Sequence, residues 1–174
     1  YCSSIQEKTL PLSLAGKDVA GQAQTGTGKT AAFLITLFTR LIKNPKPQPK
    51  AKGLVSPRAL VIAPTRELAR QIEIDAKLLG GHCEFRTLCI FGGMDYEKQR
   101  NQIKDGADIL IVTPGRIIDY YKQKLFSLKG LEVLIIDEAD RMFDMGFIMD
   151  LRYLFRNCSH YSKRQSMLFS ATLN

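Results

Sequence analysis

A chain of 174 residues, 45% of them hydrophobic, is long and apolar enough to bury one substantial core, which excludes a disordered or fibrous polypeptide. No apolar run reaches the ~18 residues that a bilayer-spanning helix needs, so a cytoplasmic location without a membrane anchor is expected. Lysine and arginine number 25 against 17 acidic residues, a formal charge of +8 and a pI near 9.4, which suits a polyanionic partner without naming one.

In chain order, residues 1–17 carry Ile5, Leu10, Leu12 and Leu14 and predict a short helix broken near Pro11, then a turn at Gly16. The opening Tyr1-Cys2-Ser3-Ser4 has neither a methionine nor a leader-like pattern, so a piece of a longer polypeptide is expected. A strand is predicted over 18–21. A helix over 30–42 follows from Phe33, Leu34, Leu37, Phe38 and Leu41 at spacings of three and four. Residues 43–58 switch to proline and lysine and read as an exposed, semi-extended loop, solvated rather than bound to RNA. The continuous apolar run 59–63 predicts a strand buried on both faces. A helix over 66–79 runs through Leu68, Ile72, Ala76 and Leu79. Further strands are predicted at 86–91, 108–112, 133–136 and 166–169, with helices at 139–145 and 148–155. Strands and helices alternating at this pace predict an α/β fold, a doubly wound, mostly parallel sheet with flanking helices, whose ligands sit at the carboxyl ends of the strands.

The cysteines, Cys2, Cys83, Cys89 and Cys158, form no C-x-x-C pair, and His82 and His160 lack partners at zinc spacing. Buried free thiols in a reducing compartment are expected, and no metal beyond Mg²⁺ carried by a nucleotide.

The strongest motif is Ala23-Gln24-Thr25-Gly26-Thr27-Gly28-Lys29-Thr30, between a predicted strand and a predicted helix. Gly26 and Gly28 let the backbone close around phosphates with its N–H groups pointing inward. Lys29 supplies a charge for the β- and γ-phosphates, and the Thr30 hydroxyl suits Mg²⁺. Ala23 departs from the usual first glycine, but a residue that small still permits the turn. Leu134-Ile135-Ile136-Asp137-Glu138 places two acids after an apolar strand. Asp137 there would hold the metal, often through water, and Glu138 would orient and deprotonate an attacking water. Capping of the following helix is the plainer alternative for the two acids.

Together with Ala23–Thr30, the tetrad Asp137-Glu138-Ala139-Asp140 resembles the DEAD-box RNA helicases, and further motifs of that family's first lobe follow in family order. Ile5-Gln6 is similar to the end of the Q motif, 64–69 to motif Ia, Gly92-Gly93 to the GG motif, 113–116 to motif Ib, and Ser170-Ala171-Thr172 to motif III. The runs 16–23 and 140–147 look most like a bacterial member.

The resemblance implies that residues 1–174 form one RecA-like ATP-binding lobe and that a second lobe supplies arginines to the γ-phosphate. It further implies ATP and Mg²⁺ as cofactors, with RNA and RNA-processing proteins as partners. Alone, such a lobe is expected to bind Mg-nucleotide, hydrolyse it very slowly and unwind nothing. Gln6 would read adenine, since a glutamine amide pairs with both N6 and N7. The family's usual upstream aromatic is not represented, and Ser3-Ser4 stand where Thr-Pro is common. Thr65, Arg66, Gly92, Gly93, Thr113 and Arg116 would grip the RNA backbone without reading sequence. Ser170 and Thr172 would link the nucleotide site to that face. Each has a plainer alternative: a helix cap for Thr65, and turns for the glycines, for Pro114-Gly115 and for the strand end. Two other readings stay open, a nucleotide-gated P-loop module for a protein partner and a DNA translocase.

Overall fold

Six short parallel strands form one sheet in the order β1-β6-β5-β2-β4-β3 in the computed structural model, which describes residues 1–46 and 54–172. The elements are α1 (Ser4–Leu14), β1 (Val19–Gln22), α2 (Lys29–Lys43), β2 (Ala59–Ile62), α3 (Arg66–Leu79), β3 (Thr87–Ile90), α4 (Tyr96–Lys104), β4 (Ile109–Val112), α5 (Pro114–Lys122), β5 (Val133–Ile136), α6 (Ala139–Asp144), α7 (Ile148–Asn157) and β6 (Gln165–Ser170). The expected doubly wound α/β architecture is present.

The adjacent strands β5, β2 and β4 are buried along their whole length, as their unbroken apolar runs require. Alternate residues serve opposite faces. Ala59, Val61, Ile109, Ile111, Val133 and Ile135 pack with Phe33, Leu34, Leu37 and Ile72 of α2 and α3. Leu60, Ile62, Leu110, Val112, Leu134 and Ile136 pack with Ile117, Met142, Leu151 and Leu154 of α5, α6 and α7.

Three expectations are corrected. Helix α1 runs through Pro11 without a break. The proline removes only the bond to the carbonyl of Glu7, which lies on the exposed face. The buried face is Ile5, Thr9 and Ser13, with Leu12 and Leu14 exposed. That polar face is satisfied: Ser13 Oγ lies 2.7 Å from Thr36 Oγ1, and Gln165 Nε2 donates to the carbonyls of Ser13 and Lys17 at 2.7 Å each.

The stretch 43–58 is not exposed throughout. Residues 47–53 lie outside the described residues, but Val55, Pro57 and Arg58 are buried. Arg58 Nε donates to Glu132 at 2.6 Å, and its NH2 donates to the carbonyls of Leu41 and Asn44 at the end of α2. A guanidinium can satisfy both a carboxylate and the orphan carbonyls of a helix C-terminus, which is why it folds inward. Lys46 adds a contact to Glu132 at 2.8 Å. This cluster sits at the amino ends of β2 and β5, opposite the motif-bearing ends.

Of the cysteines, Cys158 is buried, Cys83 and Cys89 are half-buried and Cys2 is exposed, so the expectation of buried thiols holds for Cys158. Burial pushes the Cys158 thiol up to about 11 and that of Cys89 up to about 12, which keeps both protonated and unreactive at neutral pH.

Candidate nucleotide and nucleic-acid site

Every motif but Ile5-Gln6, which lies on α1, falls at the carboxyl end of a strand, and strand order sorts these motifs into two neighbouring halves. The loops after β1, β5 and β6 carry the phosphate loop, the acids and Ser170-Ala171-Thr172. The loops after β2, β4 and β3 carry Thr65-Arg66, Thr113–Arg116 and Gly92-Gly93. The border runs between β5 and β2.

In the first half, Gly26 (φ 82°) and Gly28 (φ 88°) take left-handed backbone that turns β1 into α2. Gly28 is the N-cap of α2, so Lys29 opens the helix beneath the loop. Lys29 Nζ lies 3.0 Å from Asp137 Oδ1 and 3.9 Å from Glu138 Oε1. Burial lifts the Asp137 carboxyl above the ordinary aspartate range, and the Lys29 ammonium offsets part of that rise. Asp137 Oδ1 also accepts from the Glu138 N–H at 2.9 Å, while buried Oδ2 has no partner among the described residues.

Glu138 sits in left-handed backbone (φ 53°), a strained conformation for a non-glycine residue. Its carboxylate accepts from Thr25 Oγ1 at 2.9 Å and from Arg141 NH1 at 3.4 Å. A cavity of about 250 Å³ opens here, lined by Ala23, Thr25, Lys29, Glu138, Asp140 and Ala171. Within the loop, Thr27 Oγ1 donates to the Gln24 carbonyl at 2.7 Å.

Gln6 reaches the loop from α1. Its Nε2 donates to the Gly28 carbonyl at 3.1 Å and its Oε1 accepts from the Ser3 N–H at 3.0 Å. A recess of about 420 Å³ lies alongside, lined by Ser3, Ile5, Gln22, Ala23, Gly26 and Thr27. Thr30 lines a third groove of about 470 Å³ with Thr25, Gly26, Gly28 and Lys29 of its own loop and Gln71 and Asp75 of α3, and Thr25 and Lys29 also border the cavity beside Glu138.

In the second half, Arg66 NH1 donates to the Gly92 carbonyl at 3.3 Å. Arg116 NH2 lies 3.9 Å from where a Cβ on Gly92 would stand. Gly93 takes left-handed backbone (φ 85°), and a Cβ there would press on Arg66 NH1 and push the guanidinium aside. Among the described residues, no ion pair engages either guanidinium. Thr65 Oγ1 caps α3 by accepting from the Leu68 N–H at 3.3 Å, and Thr113 stands at the N-cap of α5 without such a bond. Arg66, Gly92, Gly93 and Arg116 therefore converge, while Thr65 and Thr113 flank them at helix starts.

Asp140 joins the acids to the last loop. Its Oδ2 accepts from Ala171 N–H at 3.1 Å, Thr172 N–H at 3.2 Å and Thr172 Oγ1 at 3.3 Å, and its own N–H donates to Ser170 Oγ at 3.2 Å. Burial would raise its carboxyl, but hydrogen bonds from Arg141, Ser170 and Thr172 outweigh this and hold it below the usual aspartate range.

Sequence reasoning missed three supporting residues. Buried Gln99 donates from Nε2 to the Phe91 carbonyl at 3.0 Å and so anchors the start of the glycine loop. Tyr96 and Tyr120 pack against Arg116. The one signal that could have found any of them is the spacing of Tyr120, four residues after Arg116, which places the two on one face of α5.

A strand–glycine loop–helix turn, a buried lysine–aspartate pair and a second acid at one sheet edge define a P-loop nucleotide-binding α/β protein. The DEAD/DEAH box helicase profile matches residues 3–174, and the chain belongs to that family. It is 55% identical over 174 residues to the ATP-dependent RNA helicase RhlB of Pseudoalteromonas atlantica, and 56% identical to that of Pasteurella multocida. All of this chain but only 40% of each relative is covered, so the chain spans well under half their length. Both relatives are bacterial, in line with the resemblance of 16–23 and 140–147. Among solved structures, the yeast DEAD-box splicing factor Prp28 superposes with a TM-score of 0.88 at 33% identity, over 99% of this chain and 41% of that one. A hypothetical ATP-dependent RNA helicase from Sulfolobus tokodaii gives 0.84 at 37%, over 99% and 46%.

Proposed function

We propose that this chain is the RecA-like ATP-binding lobe of an ATP-dependent RNA helicase, working in the cytoplasm and jointly with a second lobe. The observation that carries the reading is the division of the strands' carboxyl ends into a half with the phosphate loop and acids and a half whose Arg66 and Arg116 have no ion pair among the described residues, the two sharing a border.

In the first half, the phosphates would enter under the N–H groups of 26–30 and draw Lys29 from Asp137 toward their charge. Asp137, with Oδ2 already unpartnered, and Thr30 would hold Mg²⁺, which when bound would screen the phosphate oxygens. Glu138, steadied by Thr25 and Arg141, would orient the attacking water and accept its proton. Gln6 keeps one N–H and one lone pair free after its bonds to Gly28 and Ser3, and those bonds set which end of the amide is oxygen. One donor beside one acceptor is what adenine N7 and N6 require.

In the second half, Arg66, Arg116 and the backbone of Gly92-Gly93, with Thr65 and Thr113, would take phosphate and ribose oxygens, so binding falls with salt and ignores sequence. Ser170 and Thr172, tied to Asp140, would carry nucleotide state toward that face.

The test is calorimetric titration with Mg-ADP and Mg-GDP on the wild type, Lys29→Ala and Gln6→Ala, with RNA titration of Arg66→Ala and Arg116→Ala. The reading expects ADP to beat GDP, Lys29→Ala to weaken both and Gln6→Ala to lose the preference. Nucleotide binding indifferent to RNA, with both arginines dispensable, would instead favour a P-loop module for a protein partner.

A further inference from the structure

We propose that Tyr96 and Tyr120 form an aromatic cradle that positions the Arg116 guanidinium for an RNA phosphate; this rests on the RNA reading above. Arg116 projects from the first turn of α5, and the protein supplies it with no carboxylate partner among the described residues. Its Cζ lies 5.2 Å from the Tyr96 ring centroid and 5.8 Å from that of Tyr120, both within cation–π range. The two rings lie 4.9 Å apart at 40°, so one cation meets two faces.

The cradle is itself held. Tyr120 is fully buried, and its hydroxyl donates to the Tyr96 carbonyl at 3.0 Å, tying α5 to the start of α4. Arg116 NH1 stands 3.5 Å from the same hydroxyl. Gln123 Nε2 bonds the Tyr96 hydroxyl and closes the far side. Asp95 caps α4 by accepting from Lys98 N–H at 2.9 Å, which fixes the residue before Tyr96. An aromatic face attracts a guanidinium without neutralising it and leaves its edge N–H groups free. A carboxylate would orient the arginine equally well but compete with phosphate for the same donors. Tyr96 and Tyr120 are therefore positioning residues, acting through Arg116.

Two readouts on the 174-residue chain test this. The first uses no RNA: the Nε–Hε resonance of Arg116 should show a ring-current shift that Tyr96→Leu reduces, leaving the Tyr120 share, and Tyr96→Phe retains. The second is binding of labelled oligouridylate over a range of salt. Tyr96→Leu should weaken it about fivefold, Tyr96→Phe should stay within about twofold, and the salt slope in Tyr96→Leu should move toward that of Arg116→Ala. Tyr96→Leu combined with Arg116→Ala should bind no worse than Arg116→Ala alone, because the ring acts only through the arginine. Unchanged Mg-ADP affinity in every variant checks that the fold is intact.

An unshifted Arg116 resonance in the wild type would overturn the cradle. So would additive losses in the double variant, which mark a merely structural ring. A shifted resonance with full RNA affinity in Arg116→Ala would sink the RNA reading, and the positioning role with it.

Discussion

Lys29 Nζ lies 3.0 Å from Asp137 Oδ1, and both side chains are almost wholly withdrawn from solvent. A buried pair adds little net stability, but removing one partner strands the other. Lys29→Met should therefore destabilise the chain by about 3 kcal/mol, and Lys29→Met with Asp137→Asn should recover most of it. Denaturant titration measures both. Because the Asp137 carboxyl already sits above its unfolded value, its penalty is felt at neutral pH and relieved as pH falls through the folded pKa. The Lys29→Met deficit should shrink toward acid pH for the same reason. A deficit that stays flat with pH would rule out a stranded carboxylate.

Glu132 has the opposite sign. Burial would raise its carboxyl, but Arg58 and Lys46 bring it below the usual range. Its contribution is complete above the unfolded value, near 4.3. The contribution is lost as pH falls through the folded value. Glu132→Gln should cost about 2 kcal/mol at pH 7, roughly 6 °C in Tm, and progressively less below about pH 4. Thermal melts of wild type and variant across pH check this. A pH-independent gap would mean that the charge is not what Arg58 holds.

What the sequence could and could not tell follows from distance along the chain. The strand at 133–136 was legible to the residue because an apolar run ends abruptly in two acids. The phosphate loop was legible because glycines, lysine and threonine are contiguous. Arg58 was misread because its partner Glu132 is 74 residues away, and a basic residue in a Pro/Lys-rich stretch looks solvated. The anchoring of Gln6 to Gly28, 22 residues on, needed α1 to be laid against α2. Order within the sheet, which divides the edge into its two halves, is a property of pairing that no local pattern encodes.

Gly93 offers a test of the second half. With φ at 85° and Arg66 NH1 against the Cβ position, Gly93→Ala strains the backbone and displaces the guanidinium from Gly92. About 1 kcal/mol of stability should be lost, with RNA affinity reduced several-fold and Mg-ADP affinity unchanged. Gly115→Ala, where the Cβ position is open, is the control in the first turn of the neighbouring helix α5. Equal RNA losses in both variants would show that the Arg66–Gly92 contact is not what the substitution disturbs.

Asp140 carries the last prediction, because among the described residues its carboxylate is the one acceptor for the N–H groups of Ala171 and Thr172. Both residues are exposed, so without that acceptor their amides would meet only water. Asp140→Ala should speed amide exchange at Ala171 and Thr172 by about tenfold, the scale of a hydrogen bond to a charged acceptor after discounting for solvent. The β6 amides beneath should keep their protection, since the parallel pairing with β1 and β5 remains. The effect has a pH signature too. A carboxyl held below its usual range keeps its grip above the unfolded value and loses it as pH falls through the folded one. Wild-type exchange at these two amides, corrected for intrinsic rates, should approach that of Asp140→Ala only in acid. Asp144→Ala, on the exposed face of α6, should leave both amides unchanged. Identical exchange in wild type and Asp140→Ala at neutral pH would mean that the last loop is held by something other than this carboxylate.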